Sequence, residues 1–219
     1  MRWSNKSFFF DETLQNGACS SNGTFYLCGM SKQRIGIFAS GTGSNALNLI
    51  RTFKDHPSLE VALVLSNMET APVLKGSYDL GIPIFYMSNT DVANGGLLRA
   101  FCQDQRLDWI VLAGYLRKIP AELIRAYDHR MINLHPSLLP KFGGKGMFGA
   151  NVHKAVLEAG EKETGITIHF VNEEFDKGQK IAQFYCALNE TDDLQSVQQK
   201  ISQLEQTFLP TVVEATILK

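Results

Sequence analysis

Five short apolar runs, separated by segments of helical spacing, most narrow the folds open to this chain. They occupy residues 35–39, 61–65, 82–87, 109–113 and 131–134. Each is continuously apolar rather than alternating, the pattern of a strand buried on both faces. Between them, Leu47, Ile50 and Phe53 recur at helical spacing. Thr70 can cap a helix with Pro72 in its first turn and Gly81 after its end. Leu97, Leu98 and Phe101 mark another helix, and Pro120 begins a further one. Such alternation predicts an α/β fold: a doubly wound, mostly parallel sheet with helices on both faces. Past a glycine-rich loop at 143–149, Ile166, Ile168 and Phe170 alternate with Thr167, His169 and Val171, which predicts a strand with two distinct faces. Leu194, Val197, Ile201, Leu204 and Phe208 recur at intervals of three and four, an amphipathic helix for the sheet to carry.

Residues 1–33 read differently. Phe8, Phe9 and Phe10 are stopped at once by Asp11 and Glu12, and Asn16-Gly17 and Asn22-Gly23 follow as turn signals. The apolar run is too short for a signal-peptide core. This stretch is expected to be a poorly ordered extension or an upstream start, with a partner-binding tail as the functional alternative. Residues 34–219 are expected to form one domain, as 219 residues allow. Lys and Arg number 21 against 22 Asp and Glu, so no global field favours nucleic acid or a membrane surface. None of the four cysteines forms a C-x-x-C pair and none of the five histidines an H-x-x-x-H pair, so no metal is expected. Reduced thiols in the cytoplasm are the expected state.

Gly41-Thr42-Gly43-Ser44-Asn45 lies between the first strand and the first helix. Glycines there let a ligand approach the backbone, and a helix N-terminus offers free N–H groups to an anion. The same loop also reads as an ordinary tight turn. A dinucleotide site of the full G-x-G-x-x-G form would need a third glycine, where Ala46 stands, and an acidic residue at the end of the second strand, where Ser66-Asn67 stand. A phosphate monoester suits the loop better.

Asn133-Leu134-His135-Pro136-Ser137-Leu138-Leu139-Pro140 follows the fifth strand, where ligands of doubly wound sheets bind. Asn133 and His135 are two apart, so on an extended strand end they point the same way. An amide and an imidazole on one face can stabilise a developing oxyanion and move a proton. Asp176, in a turn after the His169 strand, can face His135 if the two strands are near; it can equally be a turn residue before Gly178. A carboxylate beside an imidazole orients it and favours its charged form.

These motifs, together with Leu112-Ala113-Gly114-Tyr115-Leu116-Arg117, occur in one order over residues 34–215 and resemble the phosphoribosylglycinamide formyltransferase family. The resemblance implies a Rossmann-like sheet whose last strands run antiparallel. It implies attack of the amine of glycinamide ribonucleotide on the formyl carbon of 10-formyltetrahydrofolate, a co-substrate, in purine biosynthesis. The partners implied are small molecules, with a homodimer compatible. Asn133 would donate to the oxyanion, His135 would act as the acid, and Asp176 would hold His135 charged and help relay the proton. Gly43, Ser44 and Asn45 would hold the ribonucleotide phosphate through their backbone, and Glu205 the ribose hydroxyls. Leu116, Arg117, Lys118 and Ile119 would line the folate site with Asn133, and Asn172, Glu173, Glu174 and Phe175 would offer it backbone groups. Residues 68–72 and Tyr115 are further candidate walls.

The chain also departs from the family. The segment at 142–149 is longer and richer in glycine than the usual loop, which suggests a mobile lid, with Lys145 as a charge near the ligands. Gln206 follows Glu205 where many members carry histidine. Competing readings are a 10-formyltetrahydrofolate hydrolase, a formyltransferase for another amine, and a catalytically silent folate- or nucleotide-binding module.

Overall fold

The computed structural model describes residues 31–219. The expected extension over 1–33 therefore lies outside the described residues, apart from its last three positions. The first strand, β1 (Gln33–Phe38), starts one residue before the expected boundary. It is followed by α1 (Ser44–Phe53), β2 (Leu59–Ser66), α2 (Pro72–Asp79), β3 (Ile84–Tyr86), α3 (Asn89–Ala93), α4 (Gly95–Asp104) and β4 (Trp109–Leu112). Then come α5 (Ala121–Ala126), β5 (Met131–His135), α6 (Ala150–Glu158), β6 (Glu163–Phe170), β7 (Lys180–Ala187) and α7 (Leu194–Ile217).

The seven strands form one sheet in the order β3-β2-β1-β4-β5-β6-β7. β1 to β5 pair in parallel, and β6 and β7 are antiparallel, as expected of a mostly parallel sheet with antiparallel last strands. The winding reverses between β1 and β4, which opens a crevice at the carboxyl ends of those strands.

Two cores follow from the strand pattern. Ile35, Ile37, Val111, Ile132, Leu134, Ile166 and Ile168 face one way, against α1, α2 and α7. Phe38, Leu63, Leu65, Ile110, Leu112 and Met131 face the other, against α3, α4 and α5. In β2 the register against β1 skips Ala62, and the side-chain phase changes with it. Leu59 and Val61 lie in the first core; Leu63 and Leu65 lie in the second.

Some boundaries differ from the sequence expectation. Thr70 does not cap α2. Its N-cap is Ala71, with no side-chain bond, since Pro72 at the first helical position has no N–H and the Val73 N–H goes to the Gly41 carbonyl. The last helix runs on through Pro210 to Ile217, far beyond the predicted stretch. α3, α6 and β7 were not anticipated as elements: α3 is one short capped turn, and β7 mixes half-buried with exposed residues and has no fully buried one.

Candidate active site

β5 places its functional residues by alternation. Met131 packs in the second core, so Asn133 and His135 share its face. On β6, Ile166 and Ile168 turn into the first core, which leaves Thr167 and His169 on the same face as the β5 pair. The antiparallel register sets Asn133 opposite His169 and His135 opposite Thr167. This part of the sheet face is polar and is covered by a loop. Thr167 Oγ1 donates to the Ser137 carbonyl at 2.6 Å and accepts from the Leu139 N–H at 3.0 Å. Gln183 Nε2 donates to Thr167 Oγ1 and to the Leu139 carbonyl, both at 2.9 Å.

His135 is buried at the strand end. Its Nε2–H donates to the Phe142 carbonyl at 2.8 Å, and its Nδ1 lies 3.5 Å from Asp176 Oδ1. The other oxygen of Asp176 accepts from the Gly144 N–H at 2.8 Å. Thus the glycine-rich loop touches both partners of the pair through its backbone. Asp176 and Phe142 are held at φ of 56° and 55°, the left-handed region that non-glycine residues rarely enter.

His169 completes the cluster. Its Nε2 accepts from Asn133 Nδ2 at 3.0 Å, so the ring proton is on Nδ1, which donates to the Phe170 carbonyl at 2.8 Å. Burial pushes this histidine below its ordinary pKa, against the Phe170 carbonyl and the Asp176 carboxylate, which work the other way. The turn that follows depends on Gly178: a Cβ there would lie 1.7 Å from the Phe170 carbonyl oxygen.

The glycine loop leads into α1. Gly43 is its N-cap at φ 75°, with no side-chain cap and no acidic residue in the first turn. A Cβ on Gly43 would lie 2.1 Å from Val73 Cγ2, so glycine is required twice over. The first-turn N–H groups are left for an anion. Ser40 Oγ ties this loop to the next wall: it accepts from the Leu116 N–H at 2.9 Å and donates to Asn67 at 2.6 Å. Across the loop, Asn45 donates to Glu205 Oε2 of α7 at 2.9 Å. Burial pushes the Glu205 carboxyl above its ordinary range, and the Asn45 bond opposes that.

One cavity of about 730 Å³ gathers these residues, a size in the range of small-molecule sites. Its walls include Gly43, Ser44, Asn45 and Glu205; Leu116, Arg117, Lys118 and Ile119; Asn133, His135 and Asp176; and Asn172, Glu173, Glu174 and Phe175. Every residue given a catalytic, ribonucleotide or folate role from the sequence therefore lies on this surface. The wall segments also meet one another: Lys118 stands 5.9 Å over the Phe175 ring, and Arg125 pairs with Glu173 at 3.4 Å. Tyr115 and Lys145 line the cavity as well. Residues 68–72 do not, because they lead into α2, which packs behind the glycine loop.

Three lining residues escaped the sequence reading. Gln198 and Ser202 sit four and three residues apart on the line ending at Glu205, a polar face of α7 that helical spacing from Glu205 would have exposed. His153, on α6, is buried, its Nδ1 has no partner among the described residues, and burial with His135 nearby holds it below its ordinary pKa. No motif pointed to it.

The family description "Formyl transferase" matches residues 33–213. This chain belongs to the formyl transferase family. It is 34% identical over 190 residues to the chloroplastic phosphoribosylglycinamide formyltransferase of Arabidopsis thaliana, covering 84% of this chain and 65% of that one. It is 35% identical to the trifunctional purine biosynthetic protein adenosine-3 of Drosophila melanogaster, covering 90% of this chain and 15% of that one. The chain thus spans less than two thirds of the length of either relative. Among solved structures, the phosphoribosylglycinamide formyltransferase of Bacillus halodurans superposes with a TM-score of 0.77 at 32% identity, covering 85% of this chain and 96% of that one.

Proposed function

We propose that this family member transfers the formyl group of 10-formyltetrahydrofolate to the amine of glycinamide ribonucleotide, a step of purine biosynthesis. The observation that carries this reading is a single cavity holding Asn133, His135 and Asp176 together with an uncapped helix start and the Glu205 carboxylate. The first group suits acyl transfer to an amine; the second suits a phosphorylated sugar. The relatives' names support the same pairing.

The residues divide the work as follows. The α1 N-terminus, through Gly43, Ser44 and Asn45, holds the phosphate, and Glu205 accepts from the ribose hydroxyls. The walls at 116–119 and 172–175 hold the folate. Asn133 has one amide hydrogen committed to His169, and its second donates to the formyl oxygen as that oxygen gains charge. His135 keeps a proton on Nε2 against the Phe142 carbonyl, so Nδ1 is the nitrogen that serves the reacting atoms. It gives a proton to the departing folate nitrogen, and Asp176 beside it steadies the charge and passes on the proton lost by the amine.

We take residues 34–219 as the catalytic domain and the cytoplasm as its setting, the latter supported by the free thiols of the buried Cys102 and the half-buried Cys186. The test is absorbance-monitored turnover of 10-formyltetrahydrofolate with and without glycinamide ribonucleotide. Consumption only with the amine, with formylated product, is expected. Consumption without the amine would indicate a hydrolase, and none in either case a binding module or another acceptor.

A further inference from the structure

The seam between α1 and α7 carries a chain of polar contacts that ends at Glu205. Pro210 has no N–H, so the carbonyl four residues earlier, that of Gln206, loses its helical partner. Asn48 Nδ2 takes that carbonyl at 2.8 Å. The Gln206 side chain then donates from Nε2 to Asn45 Oδ1 at 2.9 Å, and Asn45 donates from Nδ2 to Glu205 Oε2 at 2.9 Å. An amide has one donor side and one acceptor side. With a donor on one flank and a carboxylate on the other, Asn45 is satisfied in a single orientation. Asn45 is itself buried. Glu205 Oε1 has no partner among the described residues and keeps some contact with solvent.

We propose that Gln206 and the side chain of Asn45 are positioning residues that turn the Glu205 carboxylate so that Oε1 meets the vicinal hydroxyls of a ribose 5-phosphate group, making the site select ribose over 2-deoxyribose. The proposal rests on the reading of Glu205 as the ribose contact. Asn45 then acts twice at one position: its backbone N–H faces the phosphate, and its side chain governs the sugar. Gln206 acts only through Asn45. A carboxylate left in this partly desolvated place without its donor would lose a charge-assisted bond and its fixed direction.

The test uses calorimetric binding of ribose 5-phosphate and 2-deoxyribose 5-phosphate to the full chain and to Gln206→Met, Asn45→Ala and Glu205→Gln. The wild type should prefer the ribose form by about tenfold, the scale of one hydrogen bond to a charged group. Gln206→Met and Asn45→Ala should lose most of that preference while still binding the deoxy form. In turnover, Gln206→Met should raise KM for the ribonucleotide by about tenfold on the same basis and leave KM for the formyl donor unchanged. A wild type that does not discriminate between the sugars overturns the proposal, as does a Gln206→Met variant that keeps the full preference. A merely structural role would weaken both sugars and both substrates together with the thermal midpoint, which also overturns it. Sugar preference without formyl transfer would instead overturn the proposed activity and leave this positioning intact.

Discussion

The amide of Asn133 donates to Nε2 of His169 at 3.0 Å, across a register that sets these two residues opposite each other on β5 and β6. The contact fixes both groups. It keeps His169 in the neutral form with its proton on Nδ1, and it leaves Asn133 with one hydrogen aimed elsewhere. His169→Phe should therefore preserve the sheet and release the amide. The expected result is a drop in kcat of about 10²-fold, the lower range for a lost oxyanion donor, with little change in either KM. Steady-state kinetics beside circular dichroism checks it. Unchanged kcat would show that the amide is held without the histidine.

His135→Ala and Asp176→Ala should each lower kcat by about 10²–10⁴, the range for positioned acid–base groups. Thermal midpoints should shift little in comparison. Asp176→Asn is the finer probe, because an amide oxygen can still accept from Gly144 while its nitrogen faces His135. It should keep the loop contact and lose turnover. Near-wild-type rates in any of the three would remove the proposed proton path.

Burial holds His153 and His169 below the ordinary histidine value of 6.5. The unfolded chain therefore takes up protons that the folded chain refuses as the pH falls below that value. By linkage, these two residues contribute their full share of stability above about pH 6.5 and lose it progressively below. The thermal midpoint should fall between about pH 7.5 and 5.5. His153→Leu should flatten that fall, since this histidine gives up an unpartnered Nδ1. An identical slope in the variant would assign the loss to other groups.

Gly43→Ala tests the start of α1. The new methyl meets Val73 at 2.1 Å and the backbone sits at φ 75°. Strain and overlap together should cost about 2–4 kcal/mol and abolish phosphate binding. Adding Val73→Ala should recover little of the stability, because it removes Cγ2 but leaves the residue 73 Cβ 2.4 Å from the new methyl and the angle as strained as before. Chemical denaturation and binding of ribose 5-phosphate measure the two effects. Full recovery in the double variant would mean that the Cγ2 contact alone sets the cost.

The parallel part of the sheet was legible along the chain because its strands are buried on both faces, and such strands must be continuously apolar. The glycine loop, Asn133 and His135 were legible for a related reason: short-range geometry forces them to the end of a strand or the start of a helix. Asp176 was legible as a turn residue, but its position 3.5 Å from His135 depends on β6 pairing antiparallel with β5, 30 or more residues away. α6, β7 and the tail of α7 carry weak or broken periodicity, and packing decides their extent. His153, Gln198 and Ser202 join the cavity only because α6 and α7 fold over it. Gln206 reads in sequence as one more polar residue on a helix. Its role arises where Pro210 frees a carbonyl that only a neighbouring helix can take. Apolar period and turn chemistry act within a few residues, so the sequence by itself determined the strands, the loop and the family motifs. Hydrogen-bond direction at the site depends on which groups long-range packing brings together, and that only the tertiary structure decided.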